Sequence, residues 1–226
     1  MLSLILDLNN IHVDIHDPKA EVSLLYIDDL CESFLNILEN QPEQYGIQPL
    51  SNSYNTTVGE VAEILISFKS FNESLISQKV GTGLIRALYS TYLSFKTPAD
   101  FSYSIQKHED ERGVFCEMLK TKDSGQFSFF TAHPGVTRGS HYHHTKNEKF
   151  LVVKGSALFK FENIDTAERF EITTNDSNPE IVETVPGWSH SITNVGKDKL
   201  FVILWANEIF DQAKPDTFAK KLFEVL

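Results

Sequence analysis

The sequence predicts a mainly β protein, in which a jelly-roll barrel follows a small, mostly helical α+β region. One observation is that the spacing of apolar residues changes near residue 98. Before it they repeat at helical spacing, and after it they form short runs between turns. A second is the number of such runs, which is typical of a sandwich or barrel. A third is a set of histidines and one glutamate whose spacing predicts that they meet at one site.

The region 1–98 contains three predicted helices. In the first, apolar residues between Ile27 and Leu38 recur at helical spacing. The second begins at a capping box, Thr57-Val58-Gly59-Glu60, and the third covers Leu84 to Leu93. Thr97-Pro98 has the composition of a linker, so we place the domain boundary between residues 98 and 99.

The region 99–226 is rich in predicted strands. They cover residues 113–118, 126–132, 149–153, 157–162, 169–173, 180–185 and 199–205. The last of these, KLFVILW, is apolar on both faces, as expected of a strand inside a sandwich. In the tail we expect a short helix from Phe218 to Val225, with its apolar face against the barrel or a second copy of the chain.

The histidines and the glutamate predict a metal site. His141 and His143 would share one face of a strand because strand side chains alternate with period two. The polar segment 144–147 is a credible turn that resets this register, so that Glu148 starts a return strand and completes a hairpin. With His190 arriving from a later strand, nitrogen and oxygen donors would form an open site for a divalent ion.

These residues resemble the two motifs of the cupin family. The first motif, G-x5-HxH-x4-E-x6-G, is met by Gly135, His141, His143, Glu148 and Gly155. The second is met by Gly187, His190 and Asn194, with Pro186 directly before Gly187, where the pattern usually has one residue between them. The resemblance implies a cupin barrel for residues 99–226.

Bulk properties exclude several classes of function. The net charge of −11 argues against nucleic acid as a partner, and no run reaches the roughly 18 apolar residues of a membrane span. The two cysteines, Cys31 and Cys116, lie in apolar contexts, so we expect buried free thiols in a reducing, cytoplasmic protein.

The region 1–98 resembles part of another family. The segment SLLYIDDLCESFLNIL, at 23–38, is similar to a late segment of extended short-chain dehydrogenases, where a strand leads into a helix of the substrate domain. The chain has no glycine-rich dinucleotide loop after a first strand, so we expect no NADP binding by this chain. The region 1–98 is thus interpreted as a partial substrate domain without its nucleotide-binding half.

The order of the two parts resembles the CapF family of bifunctional capsular polysaccharide enzymes. The resemblance implies that the cupin epimerises C3 of a UDP-4-keto-6-deoxy-N-acetyl sugar on the route to UDP-N-acetyl-L-fucosamine. It also implies a homodimer and zinc bound by His141, His143, Glu148 and His190. Whether the zinc would polarise the C4 ketone or only tie two sheets together is open at this point.

The residue that moves the proton is not determined by the sequence. The candidates near the barrel mouth or wall are Tyr142, His144, Lys146, Lys160 and Glu162. Alternation turns Tyr142 away from the histidine face unless the strand bulges. Our catalytic prediction is His144, Lys146 and Lys160, although His144 could equally be a solvated turn residue.

Substrate contacts are assigned to Arg138 and Trp188. Arg138 or Lys146 could meet the diphosphate or be solvated, and Trp188 could stack on a ring or pack in the core. Two other functions remain open: a metal-dependent cupin dioxygenase, and a non-catalytic remnant that binds sugar or dimerises.

Overall fold

The computed structural model describes residues 15–40, 46–47 and 53–222. The chain forms two compact units, one made of Met1–Asn72 and Gln78–Tyr103, the other of Glu73–Ser77 and Ser104–Leu226. The class is mainly β with a small helical N-terminal part, as the sequence predicts. Among the described residues, no helix has the length and apolar character needed to cross a membrane.

The first unit combines helices with one strand pair. Strand β1 (Glu21–Leu25) pairs antiparallel with β2 (Ser53–Thr57). The helices are α1 (Ile27–Asn40), α2 (Val58–Lys69), α3 (Phe71–Ser74, which runs on into the second unit), α4 (Gly83–Ser94) and a 3₁₀ turn at Pro98–Asp100. The predicted capping box of α2 is confirmed: the Glu60 N–H donates to Thr57 Oγ1 at 3.2 Å, and the Thr57 N–H donates to Glu60 Oε2 at 3.2 Å.

The core of this unit lies between α2 and α4 rather than on α1. Leu65, Phe68 and Leu88 are buried there. The predicted helix α1 is confirmed, but most of its large apolar residues are exposed, Leu38 for example at 75%. Cys31, on the same helix, is exposed as well, so its expected burial is wrong, whereas the expected burial of Cys116 is confirmed.

The second unit consists of two sheets. One has the strand order β10-β9-β12-β7-β14, and the other has the order β11-β8-β13-β6-β5-β3, with β4 also paired to β5. The strands are β3 (Ile76–Ser77), β4 (Lys107–Asp110), β5 (Gly113–Thr121), β6 (Gly125–Ala132), β7 (Thr137–Tyr142), β8 (Glu148–Lys154), β9 (Ser156–Asn163), β10 (Arg169–Asn175), β11 (Ile181–Glu183), β12 (Trp188–Asn194), β13 (Leu200–Ala206) and β14 (Phe218–Ala219).

The core of the barrel lies between the sheets. Phe159 and Ile192 come from the first sheet, and Phe130, Phe150 and Val202 come from the second; all five are at most 5% exposed. Their alternation along each strand follows from the period of two, which sends every second side chain inward.

Two local predictions are wrong. Strands β7 and β8 belong to different sheets, so the segment 143–147 crosses between sheets instead of closing a hairpin. The expected tail helix at 218–225 is replaced by the short strand β14, in which Phe218 pairs with Tyr142; residues 223–225 lie outside the described part. Both errors concern long-range pairing, which the local pattern does not encode.

A bulge in β7 sets the register of the barrel mouth. His190 lies opposite His141, but Ser191 lies opposite Gly139, so Ser140 is an extra residue on β7. Gly139 has φ +86°, and a Cβ there would lie 2.9 Å from the carbonyl oxygen of His190. Glycine at this position therefore lets the two strands approach.

We expect Gly139→Ala to destabilise the second unit more than Gly135→Ala does. Both positions have positive φ, so each alanine costs about 1–2 kcal/mol of backbone energy. Only the Cβ at 139 meets neighbouring backbone, which adds about 1–3 kcal/mol as overpacking, whereas position 135 has open space. Urea unfolding followed by far-ultraviolet circular dichroism measures both; equal losses would contradict the packing argument.

Candidate metal centre

Four side chains from both sheets meet at the mouth of the barrel. His141 lies near the end of β7, His143 follows that strand, Glu148 is the first residue of β8, and His190 is on β12. One ligand atom from each lies within 4.8 Å of those of the others. The structure therefore brings together all four residues that the sequence assigned to a metal.

The cluster is buried and tightly spaced. Glu148 Oε2 lies 3.3 Å from His143 Nε2 and 3.3 Å from His190 Nε2. The ring of His141 is 4.7 Å from that of His190 and 5.0 Å from that of His143, measured between centroids. His143, Glu148 and His190 are buried, and His141 is half-buried.

The electrostatics favour the forms that ligate metals. Burial, followed by the nearby His190, lowers the pKa of His141 to about 4, although Glu148 acts in the opposite direction. Burial alone would raise the pKa of Glu148, but its contacts with His143 and His190 outweigh burial and hold that pKa well below its ordinary value. At pH 7 the His141 ring is thus neutral and Glu148 is ionised, as metal binding requires.

The ring nitrogens of His190 provide a test of whether an ion fits here. Both are buried, and Nδ1 has no hydrogen-bond partner among the described residues, while Nε2 has only the Glu148 carboxylate 3.3 Å away, without the geometry of a hydrogen bond. Buried polar atoms are normally paired, and an unpaired one needs an explanation, such as a bound ion. Three imidazoles and one carboxylate are donors that suit a divalent transition metal, so this cluster could hold one.

The orientation of His143 depends on Asp216, a residue that the sequence analysis missed. The Asp216 carbonyl oxygen lies 2.6 Å from His143 Nδ1, so that nitrogen donates to it and Nε2 faces Glu148. The Asp216 carboxylate also accepts backbone N–H groups of the 143–147 loop. A single aspartate about 70 residues downstream carries no pattern that links it to the histidines.

Lys146 lies beside the cluster and lines a cavity of about 240 Å³. It is 7% exposed, and its Nζ is 3.9 Å from Glu148 Oε1 and donates to Thr217 Oγ1 at 3.2 Å. The other lining residues are Phe115, Glu117, Gln126, Glu148, Leu204, Ala206, Glu208 and Phe210. Glu117 and Glu208 are thus titratable groups at this cavity that the sequence analysis did not name.

The other two catalytic candidates are not brought to the cavity. Lys160 lies between the core residues Phe159 and Phe161, so it projects from the outer face of β9, where its Nζ is 3.6 Å from Glu171. His144 is exposed, and its ring packs edge-on against Phe218, with centroids 4.7 Å apart. The sequence alone could not show the direction of Lys160, because it does not tell which face of β9 turns toward the core.

The two predicted substrate residues have structural partners. Arg138 is largely covered: its Nε donates to the Thr131 carbonyl at 3.2 Å, and its guanidinium lies over the Phe130 ring. Burial lowers the pKa of Arg138, with Arg112 as the second cause. Trp188 is half-buried and packs against the core of the barrel. Neither side chain lines the 240 Å³ cavity.

Comparison with known proteins identifies relatives of both units. Residues 108–218 match a family model described as the polysaccharide biosynthesis C-terminal domain. The chain is 54% identical to the UDP-2-acetamido-2,6-beta-L-arabino-hexul-4-ose reductase of Pseudomonas aeruginosa, over 94% of this chain and 57% of that protein.

Solved structures extend this similarity to the whole described fold. CapF from Staphylococcus aureus, a capsular polysaccharide assembling protein, superposes with a TM-score of 0.91 at 34% identity, over 97% of this chain and 65% of that one. CapF with the inhibitor 3-isopropenyl-tropolone superposes with a TM-score of 0.90, also at 34% identity, over 97% of this chain and 64% of that one. The chain spans about three fifths of the length of these relatives. By sequence and fold, nearly all of this chain's own length is similar to part of the CapF enzymes.

Proposed function

We propose that the second unit is a metal-dependent epimerase that inverts C3 of a UDP-4-keto-6-deoxy-N-acetyl sugar in capsular polysaccharide synthesis. The observation that carries the proposal is the buried cluster of His141, His143, Glu148 and His190 beside a cavity that contains Lys146. We further propose zinc as the ion, since it favours nitrogen and oxygen donors at sites with an open position.

The named relatives support this choice of substrate. The Pseudomonas protein is named for a UDP-2-acetamido-2,6-beta-L-arabino-hexul-4-ose, and CapF is described as a capsular polysaccharide assembling protein. A hexul-4-ose has a ketone at C4, which acidifies the hydrogen on C3. Removal of that hydrogen and its return to the other face would invert C3 without any redox cofactor.

The size of the cavity suits part of such a substrate. Its volume of about 240 Å³ is below the roughly 300–1,000 Å³ of pockets that enclose a drug-sized ligand. One sugar ring would enter, and the UDP moiety would remain outside the barrel. Phe115 and Phe210 offer apolar surface to the ring faces, and Gln126 offers an amide.

Lys146 and Glu117 are the groups we assign to proton movement. When bound at the four ligands, the ion would supply Lewis acidity toward an oxygen of the substrate. Lys146 comes from the loop before β8 and Glu117 from β5, which lie three places apart in one sheet, so the two side chains reach the cavity from different sides. The Glu117 carboxylate would take the proton from one face of C3, and Lys146 Nζ would return a proton to the opposite face, which inverts C3 and leaves the ketone at C4.

We also propose that the chain forms a homodimer.

The first test follows deuterium from heavy water into C3 of the UDP-4-keto-6-deoxy-N-acetyl sugar. We expect incorporation with the native chain and a loss of about 10²-fold or more with Lys146→Met, because general acid–base groups contribute about 10²–10⁴-fold. Lys149→Met is the matched control, since Lys149 pairs with Glu183 at the surface and does not line the cavity. Mass spectrometry of the recovered sugar measures the rate. Binding without exchange would favour the non-catalytic alternative.

The second test concerns the ion itself. We expect about one zinc per chain by elemental analysis, and at least about a 100-fold weaker affinity for His190→Ala, since loss of an outer partner alone costs 10–100-fold. Zinc at 100 times its Kd would add about 2.7 kcal/mol to the free energy of unfolding of the native chain. His133→Ala is the control, because His133 is exposed and outside the cluster. Equal zinc binding by both variants would contradict the assignment.

A further inference from the structure

The C-terminal segment around Asp216 returns to the loop that carries the metal ligands. We propose that Asp216 is a positioning residue for the metal centre: its carboxylate fastens the loop 144–146, and its carbonyl aims His143 Nε2 at the ion. This inference rests on the metal-binding part of the proposed function. It concerns a residue that lies outside both cupin motifs.

The carboxylate of Asp216 collects the donors of one short loop. Oδ1 accepts the His144 N–H at 3.0 Å, and Oδ2 accepts the N–H groups of Thr145 and Lys146, each at 2.8 Å. Oδ2 also accepts the Thr145 hydroxyl at 3.1 Å. Successive N–H groups that converge on one anion form a concavity suited to negative charge. The loop that follows His143 is therefore held at three consecutive residues by one side chain.

The backbone of Asp216 acts directly on a ligand. Its carbonyl oxygen lies 2.6 Å from His143 Nδ1, which fixes the ring so that Nε2 faces Glu148, 3.3 Å away. Metal-binding histidines commonly donate their second ring N–H in this way, and the partner sets the tautomer and the ring orientation. The carbonyl of Asp216 thus holds the His143 ring, and its carboxylate holds the loop that follows His143.

The backbone of Asp216 adopts an uncommon conformation at this point. Its φ is +37°, a left-handed conformation that costs energy for any residue other than glycine and is least unfavourable for asparagine and aspartate. The next residue, Thr217, accepts from Lys146 Nζ at 3.2 Å. A segment under backbone strain is therefore fixed to the ligand loop through both of its residues.

The test compares Asp216→Asn with Asp211→Asn. Asparagine tolerates the same φ, so the first variant removes the charge and sets an NH₂ group against N–H donors without new backbone strain. Asp211 is the matched control: its Oδ1 accepts the Ala213 N–H at 2.8 Å in the same segment, away from the ligand loop. The measurements are zinc affinity by chelator competition, the visible absorption of bound Co²⁺, and hydrogen exchange at the amides of residues 144–146.

We expect Asp216→Asn to weaken zinc binding about 10–100-fold, to alter the Co²⁺ spectrum, and to speed exchange at the three amides. Asp211→Asn should match the native chain in all three. Native affinity and spectrum in Asp216→Asn would overturn the proposal while the metal centre stands. Equal weakening in both variants would also overturn it, because a general loosening of the tail would then be the cause. A native chain that bound neither ion would refute the metal centre and the positioning role together.

Discussion

The pairing of β12 with β7 is the constraint on which the candidate centre depends. His141 and His190 face each other inside the barrel because the extra residue Ser140 is absorbed by a bulge beside Gly139. In a sheet, a shift of one residue sends every side chain to the opposite face. Without the bulge, His141 would share the face of Gly139 on β7 and point away from His190 and Ile192, which share the inner face of β12. One inserted residue on β7 therefore brings His141 to the inner face.

Glu148 supplies a carboxylate ligand from the second sheet to the three histidines associated with the first. It is the one ligand that begins a strand of the opposite sheet, and its carboxylate lies 3.3 Å from two of the three imidazoles. A buried carboxylate is costly unless it is paired, so the histidines and Lys146 make its burial possible. In turn, the carboxylate makes the histidine cluster suitable for a cation. The ligands of one ion would thus be distributed over both layers of the barrel.

The sequence predicts those parts of the fold and site that depend on local spacing. The strands around Phe159 and Val202 follow from period two, and the start of α2 follows from its capping box. His141, His143, Glu148 and His190 meet as their motif spacing predicts. The outward direction of Lys160, the sheet to which β8 belongs, and the return of Asp216 to the ligand loop all depend on pairings between distant segments. No local pattern in one sequence reports such pairings.

The contrast between the two cysteines has a practical consequence. Cys31 lies on the exposed surface of α1, whereas Cys116 is 4% exposed on β5, and the chain has no other thiol. A thiol-reactive dye added to the folded protein therefore attaches to the first unit at a single place. Slow labelling of Cys116 would then report transient opening of the barrel, so one reagent distinguishes the motions of the two units without any engineered residue.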